Sequence, residues 1–381
     1  MSVNNGKHYT LDEYLFPWFA GALRAWGISM NMDSAIHIRR GELYAGYALD
    51  ETVRAHASSG GVVSGILIDL LERRQIDLAL VSRITSHRGR ICGVTVPAHG
   101  REEILKNAGS SYIDTPVLQK VRELKYFQGR VAVVALPCQV VRLRDRMSRE
   151  PELQNKISLV IGLFCRGNVT SRFFDEYFAR CGIDPREVDS VKVSREHLKG
   201  KVRVRLRDGG ERNIPFMRMN AYRLVGAYAK PLCAWCDEHV AREADISVGD
   251  IFMPEFKRKE IKHSAFIARS EETVALLEDM CARGILTAEY VGIERYRKTF
   301  ARVERFTDTL ASRYPAARLT GLKTPRSRDR GGINPFHFLA WTFIFLNSRI
   351  SRKRWGRRFL FALPSSSISL MALMVKGLSR L

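Results

Sequence analysis

Acidic residues are in short supply in this chain of 381 residues. Asp and Glu number 40 against 62 Lys and Arg, a formal net charge of +22. Cysteine is scarce too, with seven in the whole chain and none before Cys92. Seven is odd and too few for this length, which excludes a disulfide-stapled scaffold. The stretch Met1-Ser2-Val3-Asn4-Asn5-Gly6 lacks the charged n-region and apolar core of a signal peptide, so a reducing cytoplasm is the expected compartment. No apolar run reaches the roughly 20 residues of a spanning helix. Neither the dinucleotide fingerprint nor a P-loop is met, and no internal repeat is evident. What the chain does have is an ordinary globular composition, 45% hydrophobic and 27% charged. That excludes wholesale disorder. The length suggests two domains or three, each able to bury a core.

The positive charge is unevenly placed. From Arg318 to Leu381 there are 13 Lys and Arg and a single acid, Asp329. Here Phe336 to Leu346 form an apolar block, Arg349 to Arg358 an arginine-rich hinge with Trp355, and Phe359 to Val375 a second apolar stretch broken by Pro364. Apolar segments around a basic hinge suit an anionic membrane surface contacted through residues 336–381. Docking onto the protein's own body or a partner is the competing reading. A nucleic-acid partner is not expected, because the aromatics form a block and do not alternate with the basic residues.

Periodicity predicts short strands at 35–38 and 43–47, then a helix from Val62 with apolar residues at Val63, Ile66, Leu67, Leu70 and Leu71. Ser58 and Ser59 stand where its N-cap belongs. Strands are predicted at 78–81 and 91–96, and a helix opening on Thr115-Pro116 with Thr as N-cap. Arg130 to Leu136 and Ile157 to Phe164 are continuous apolar runs, as in strands covered on both faces. With a helix over 139–147 between them they read as a βαβ unit. Alternation over 201–206 and the turn Asp208-Gly209-Gly210 predict an antiparallel hairpin. A helix is predicted over 273–281, and 319–335 reads as a linker. The fold class is therefore α/β, mixed α+β in detail: a parallel-sheet core with βαβ units, an antiparallel hairpin subdomain and a C-terminal helical tail. The expected divisions are an N-terminal region 1–185, a region 186–318 carrying the hairpin and the CxxC loop, and the basic tail 319–381.

Cys138 follows one predicted parallel strand and Cys165 the other, so both fall on the sheet edge where open α/β folds place ligands. Cys233-Ala234-Trp235-Cys236 adds two thiols at a spacing that lets both serve one inorganic centre. No second CxxC exists, so a zinc ribbon is not indicated. Four thiolates suit a [4Fe–4S] cluster or an all-thiolate zinc site. Cys92, Cys181 and Cys281 read as small buried hydrophobes. Arg166 and His239, beside predicted ligands, could tune the centre's potential or donate protons, but a surface salt bridge is the simpler reading of each. Ser58-Ser59-Gly60-Gly61 at a helix start, and Ala108-Gly109-Ser110-Ser111-Tyr112 before the next, have the backbone N–H groups of anion-binding loops. A plain N-cap is the simpler reading of the first. Asp245 and Asp250 either orient groups near the CxxC or the cofactor, or simply end a strand.

Several of these pieces together resemble one family. Ser58-Ser59-Gly60-Gly61-Val62-Val63-Ser64, Gly109-Ser110-Ser111-Tyr112, Leu136-Pro137-Cys138-Gln139-Val140, Leu163-Phe164-Cys165, Cys233-Ala234-Trp235-Cys236 and Ala244-Asp245-Ile246-Ser247-Val248-Gly249-Asp250 stand in the order found in the beta subunit of coenzyme F420-reducing hydrogenase and its dehydrogenase relatives. Proteins encoded among polysaccharide biosynthesis genes look similar too. The resemblance implies FAD held at Ser58, Ser59, Gly60, Gly61, Ser64, Ser110, Ser111 and Tyr112, with Gln139, Asp245, Gly249 and Asp250 nearby. It also implies one [4Fe–4S] cluster on Cys138, Cys165, Cys233 and Cys236. The implied activity is electron transfer between flavin, cluster and a partner or substrate. Members often begin with a ferredoxin module carrying its own cysteines. With no Cys before Cys92, electrons are expected from another protein such as a ferredoxin, or from a soluble deazaflavin or nicotinamide donor. A non-catalytic zinc protein bound to a membrane is the alternative. No catalytic acid or base is assigned. The expected location is the cytoplasm, peripheral on the inner face of the membrane where the tail contacts it.

Overall fold

The computed structural model describes residues 37–194, 200–236, 238–299, 310–324 and 332–379. Eleven strands share one sheet: β1 (Leu43–Gly46), β2 (Leu78–His87), β3 (Arg90–Ala98), β4 (Val131–Ala135), β5 (Ile157–Leu163), β6 (Val188–Ser194), β7 (Lys201–Leu206), β8 (Glu211–Pro215), β9 (Ile246–Asp250), β10 (Ser264–Ala268) and β11 (Glu289–Tyr290). Their order is β11-β1-β10-β9-β5-β4-β2-β6-β7-β8, with β3 paired to β2. The central pairs β2·β4, β4·β5 and β5·β9 are parallel, and the flanks are antiparallel. The sheet draws strands from both sides of residue 185.

The parallel centre follows from the sequence. In β4, Val131, Val133 and Ala135 face one apolar cluster while Ala132 and Val134 face another. A strand apolar at every position buries both faces, which only a sheet layered by helices on each side can satisfy. The carboxyl ends of β4, β5 and β9 consequently share one edge, and each leads into a segment picked out in the sequence: Pro137-Cys138, Phe164-Cys165 and Asp250.

Four local expectations shift. The helix at residue 62 spans Val62–Glu72, but its N-cap is Gly61 in the left-handed region, and no serine caps it. The Ser58 hydroxyl donates to the Val193 carbonyl at 2.6 Å and Ser59 to that of His263 at 2.9 Å, so tertiary partners claim both. The second helix is Val117–Glu123, with Pro116 as the boundary residue and Thr115 outside it. The Thr115 carbonyl instead accepts the Gln139 side-chain amide at 2.8 Å. Of the strand expected at 35–38, residues 35 and 36 lie outside the described residues, and 37–38 form no strand. The β2–β3 hairpin is also longer than the two short strands predicted. It closes at Arg88 and Gly89, both at positive φ, a turn whose twist matches the strands it joins.

Asp69 is buried on helix Val62–Glu72, and Arg283 meets it with two parallel bonds of 2.6 and 2.7 Å. The bidentate pair staples that helix to the end of helix Glu271–Ala282. Arg283→Met leaves the buried Asp69 carboxylate with only the more distant Arg73, at 3.9 Å. The expected loss is about 3 kcal/mol in denaturant unfolding, and Asp69→Asn in the same background should recover part of it.

Candidate functional site

A cavity of about 250 Å³ opens at the carboxyl edge of the parallel strands. Two helix N-termini face it, those of Val62–Glu72 and Pro137–Met147. Their backbone N–H groups and positive dipole ends favour a bound anion. The Ser58–Gly61 loop forms one wall. Gly60 is required there by close approach, since a Cβ would stand 2.6 Å from the Gly46 carbonyl oxygen. Gly61 is required by its φ of +82°. Ser58 joins this wall to the second loop, because its hydroxyl accepts the Ser110 N–H at 2.7 Å. The two small-residue loops are therefore one continuous surface, tied by a single side chain.

Most of the sequence-predicted cofactor residues meet here. Ser58, Ser59, Gly61, Ser64, Ser110, Ser111, Tyr112, Gln139, Gly249 and Asp250 all line the cavity. Gly249 lets the Phe164 ring pass, since a Cβ would come within 2.3 Å of it. Gln139 is a shaping residue: its oxygen accepts the Leu136 N–H at 2.9 Å and its nitrogen binds the Thr115 carbonyl. Gly60 sits behind the wall, donating to Ser264 Oγ at 2.9 Å. Asp245 is not in the lining. It pairs with Arg144 at 2.5 Å and accepts the Val160 N–H at 2.7 Å, just ahead of β9 and ending no strand.

Sequence reading missed the cationic rim. Arg166 and Arg223 line the cavity, and Arg223 lies 5.2 Å from the centroid of the Tyr112 ring. Lys262 binds the Ser58 carbonyl and stands 3.5 Å from Asp250. Asn107 also lines the cavity, and its Oδ1 is buried with no hydrogen-bond partner among the described residues. Such an acceptor fits a ligand that carries N–H or O–H groups. Positive charge, two helix N-termini and a waiting acceptor together match an anionic, hydrogen-bonding cofactor.

Cys165 belongs to the wall of this cavity. Burial pushes its thiol up to about 12, and the neighbouring Cys233 and Cys138 push the same way. Cys138 is raised by burial and then by Cys233. Burial also raises Cys233, which feels Cys236. Cys138, Cys165 and Cys233 thus lie within electrostatic reach of one another, and Cys236 within reach of Cys233. Cys138 sits in the first turn of helix Pro137–Met147, Cys165 just beyond β5, and the CxxC pair on the short 3₁₀ turn Pro231–Trp235 and its following residue. Thiols raised in this way need nearby positive charge, from a metal, a cationic side chain or a helix N-terminus, to act as thiolates. A tetrahedral zinc at about 2.3 Å from each sulfur would need sulfurs only about 3.8 Å apart. Among the described residues no three His, Cys, Asp or Glu converge closely enough for one ion. A cube of irons, presenting one metal to each thiolate, tolerates a wider set. By residue type, four cysteines suit either an iron–sulfur cluster or an all-thiolate zinc site.

His239 and Arg166 both stand beside the site, Arg166 with an exposed side chain. Arg166 is part of the cavity wall. The His239 ring lies 3.1 Å from the Cys165 carbonyl through Nδ1, and the Cys165 N–H donates to the His239 carbonyl at 2.9 Å. The Asn168 N–H points at Cys233 Sγ at 3.4 Å. Of the three other cysteines, Cys92 and Cys281 are half-buried, whereas Cys181 is exposed at a helix end. A helix terminus carries its last side chain out of the core, which periodicity alone does not reveal.

Arg313 is the other residue missed. It is 1% exposed, donates to the Ala234 and Cys236 carbonyls at 3.1 and 3.0 Å, and lies 4.5 Å from the centroid of the Trp341 ring. Trp235 of the CxxC loop packs between Tyr314 and Phe345. The C-terminal helices thus hold the cysteine loop from behind.

Residues 43–122 match the family model for the N-terminal part of the coenzyme F420 hydrogenase/dehydrogenase beta subunit, and 128–292 match that for its C terminus. One subunit of the F(420)H(2) dehydrogenase of Methanosarcina mazei is 30% identical over 59% of this chain and 62% of its own length. The beta subunit of the coenzyme F420 hydrogenase of Methanothermobacter thermautotrophicus is 23% identical over 74% and 97%. The coenzyme F420-dependent sulfite reductase of Methanocaldococcus jannaschii is 27% identical over 64% and 39%. Among solved structures, a chain of the F420-reducing [NiFe] hydrogenase complex from Methanosarcina barkeri shares the fold, with a TM-score of 0.56, 20% identity, and coverage of 77% of this chain and 99% of that one. Since the two family models together take in most of the chain, in order and across the whole sheet, the chain belongs to the family of the coenzyme F420 hydrogenase/dehydrogenase beta subunit, whose named members are parts of oxidoreductases.

Proposed function

We propose that this chain is a flavin- and iron–sulfur-dependent electron-transfer protein. FAD would lie in the cavity against the Ser58–Gly61 and Ser110–Tyr112 loops, and one [4Fe–4S] cluster on Cys138, Cys165, Cys233 and Cys236. The observation that carries this reading is the double membership of Cys165, which lines the cavity and belongs to the interacting thiol set. When bound, the flavin exchanges a hydride and the cluster single electrons, which lets a two-electron carrier communicate with a one-electron partner. The protein's own part is positional. Helix N-termini and Arg166 would meet the cofactor's anionic groups, Asn107 would accept from it, and Tyr112 and Arg223 would close one side.

The electron partner we assign is a protein such as a ferredoxin, or a soluble deazaflavin or nicotinamide carrier. Named relatives that are parts of larger enzymes, such as the beta subunit of an F420-dependent formate dehydrogenase from Methanococcus maripaludis, favour a protein. A small or lipid-linked substrate, as in polysaccharide assembly, is the class we assign to the other end. Anaerobic purification tests the cofactors. The expected protein is brown, with flavin absorption bands, flavin released on denaturation, and about four irons per chain. A protein free of iron and flavin after reconstitution overturns the reading. One zinc without flavin would replace it with a non-catalytic metal protein.

A further inference from the structure

The C-terminal 48 described residues, 332–379, contain no Asp or Glu. They form three helices, Pro335–Arg352, Arg354–Ala362 and Ser365–Leu378, the last two bent by 100° at Leu363-Pro364. The tail's apolar residues divide into two sets. Trp341, Phe345, Leu360, Ile368, Ala372 and Val375 are buried against the protein's own clusters. A second set faces outward: Trp355 is 65% exposed, Phe359 54%, Leu370 68% and Leu373 63%. Trp355 and Phe359 are four residues apart and Leu370 and Leu373 three, so each pair forms a stripe on one face of its helix. Between and beside them stand Arg352, Lys353, Arg354 and Arg358, all exposed. Arg357, which points back, is spent on Glu176 at 2.8 Å. The two charge environments are thus sorted: the inward arginine has its carboxylate, and the outward ones lie beside apolar side chains with no acid in the segment.

We propose that this face lies on an anionic lipid bilayer, with Trp355, Phe359, Leu370 and Leu373 in the interfacial layer and Arg352, Lys353, Arg354 and Arg358 among the headgroups. Lipid is favoured over a protein partner by charge complementarity. Four cations packed beside exposed aromatic and aliphatic side chains match a surface that is negative outside and apolar beneath. A spanning arrangement does not fit. No single described helix is long and apolar enough to cross a membrane. The bent pair also keeps Leu360, Ile368, Ala372 and Val375 in contact with the protein body, which a membrane-buried hairpin would have to abandon. The proposal stands whether or not the cofactor assignment does, because it uses no residue of the cavity or the thiol set.

Flotation of the purified full-length protein with vesicles tests it. Vesicles of phosphatidylcholine with about one third phosphatidylglycerol should carry the protein at low salt, and pure phosphatidylcholine at least tenfold less. Trp355 fluorescence should shift to the blue on binding, and Trp355→Phe should remove that shift. Two double variants, W355S with F359S and L370S with L373S, should each weaken flotation about tenfold or more. R352Q, K353Q and R354Q combined should abolish the preference for anionic lipid. All these side chains are exposed, so thermal unfolding and bound cofactor should match the parent. No flotation on anionic vesicles overturns the proposal, as does flotation that the double variants leave intact. A lipid-independent dimer dissolved by those variants would also overturn it, since a second copy would then be the occupant of the face.

Discussion

Cys165→Ser should lower bound iron from about four per chain to below one, while Cys92→Ser, Cys181→Ser and Cys281→Ser leave it unchanged. The argument is electrostatic and geometric. Cys165 stands at the end of β5, buried and influenced by both Cys138 and Cys233. Burial alone would keep its proton on, at about 12. A metal is what makes loss of that proton favourable, and loading a centre at neutral pH therefore releases protons. Serine is nearly isosteric but far too weakly acidic to replace the thiolate. The fold should survive, because the Cys165 N–H and carbonyl contacts to His239 belong to the backbone. Iron analysis, the visible charge-transfer band and retained flavin separate the outcomes. Loss of iron with flavin still bound is the expected pattern. Iron kept in Cys165→Ser, or lost in Cys181→Ser, places the centre elsewhere.

The four cysteines could be proposed as a set from the sequence because each is tied to a local feature. Parallel buried strands announce themselves as unbroken apolar runs, and the residue after such a strand lies on the ligand edge whatever the rest of the chain does. A CxxC needs only its own spacing. The loops were legible for a related reason: Gly60-Gly61 and Gly249 are small where backbone or an aromatic ring passes close.

What stayed hidden depends on partners distant in sequence. Ser58 looks like a helix cap, yet its hydroxyl joins Val193 and Ser110, residues 135 and 52 positions away. Capping propensity is a preference of roughly 1 kcal/mol, about the size of one tertiary hydrogen bond, and the Ser58 hydroxyl makes two. Arg223 reaches the cavity, and Lys262 binds the Ser58 loop behind it, from segments with no motif at all. The tail offered two readings, its own body or a surface, and the helices divide their residues between an inward and an outward set. An apolar stretch at helical spacing shows that a face exists but not which neighbour covers it.

Arg313 carries the second large effect. A guanidinium that is 1% exposed has lost its hydration, and what replaces it here is two carbonyls of the CxxC loop and the face of Trp341. Hydrogen bonds from a charged donor and a desolvated cation–π contact are the strong members of their classes. Arg313→Gln removes the charge and leaves the Ala234 and Cys236 carbonyls short of donors. The expected cost is about 3 kcal/mol in unfolding free energy. The more telling consequence is local. Arg313 lies beyond residue 292, where the family match ends, so in this chain a C-terminal segment fixes a loop of the family core. Loosening that loop should let a chelator strip the metal centre about tenfold faster. Loss of a buried positive charge beside Cys236 should also make the centre harder to reduce, moving its potential more negative. Arg313→Lys keeps the charge but not the planar fork, so it should restore the potential more fully than the chelation rate. Chelation and potential both unchanged in Arg313→Gln would show that the loop holds its shape without the clamp. A split between the two variants would separate what the charge does from what the geometry does.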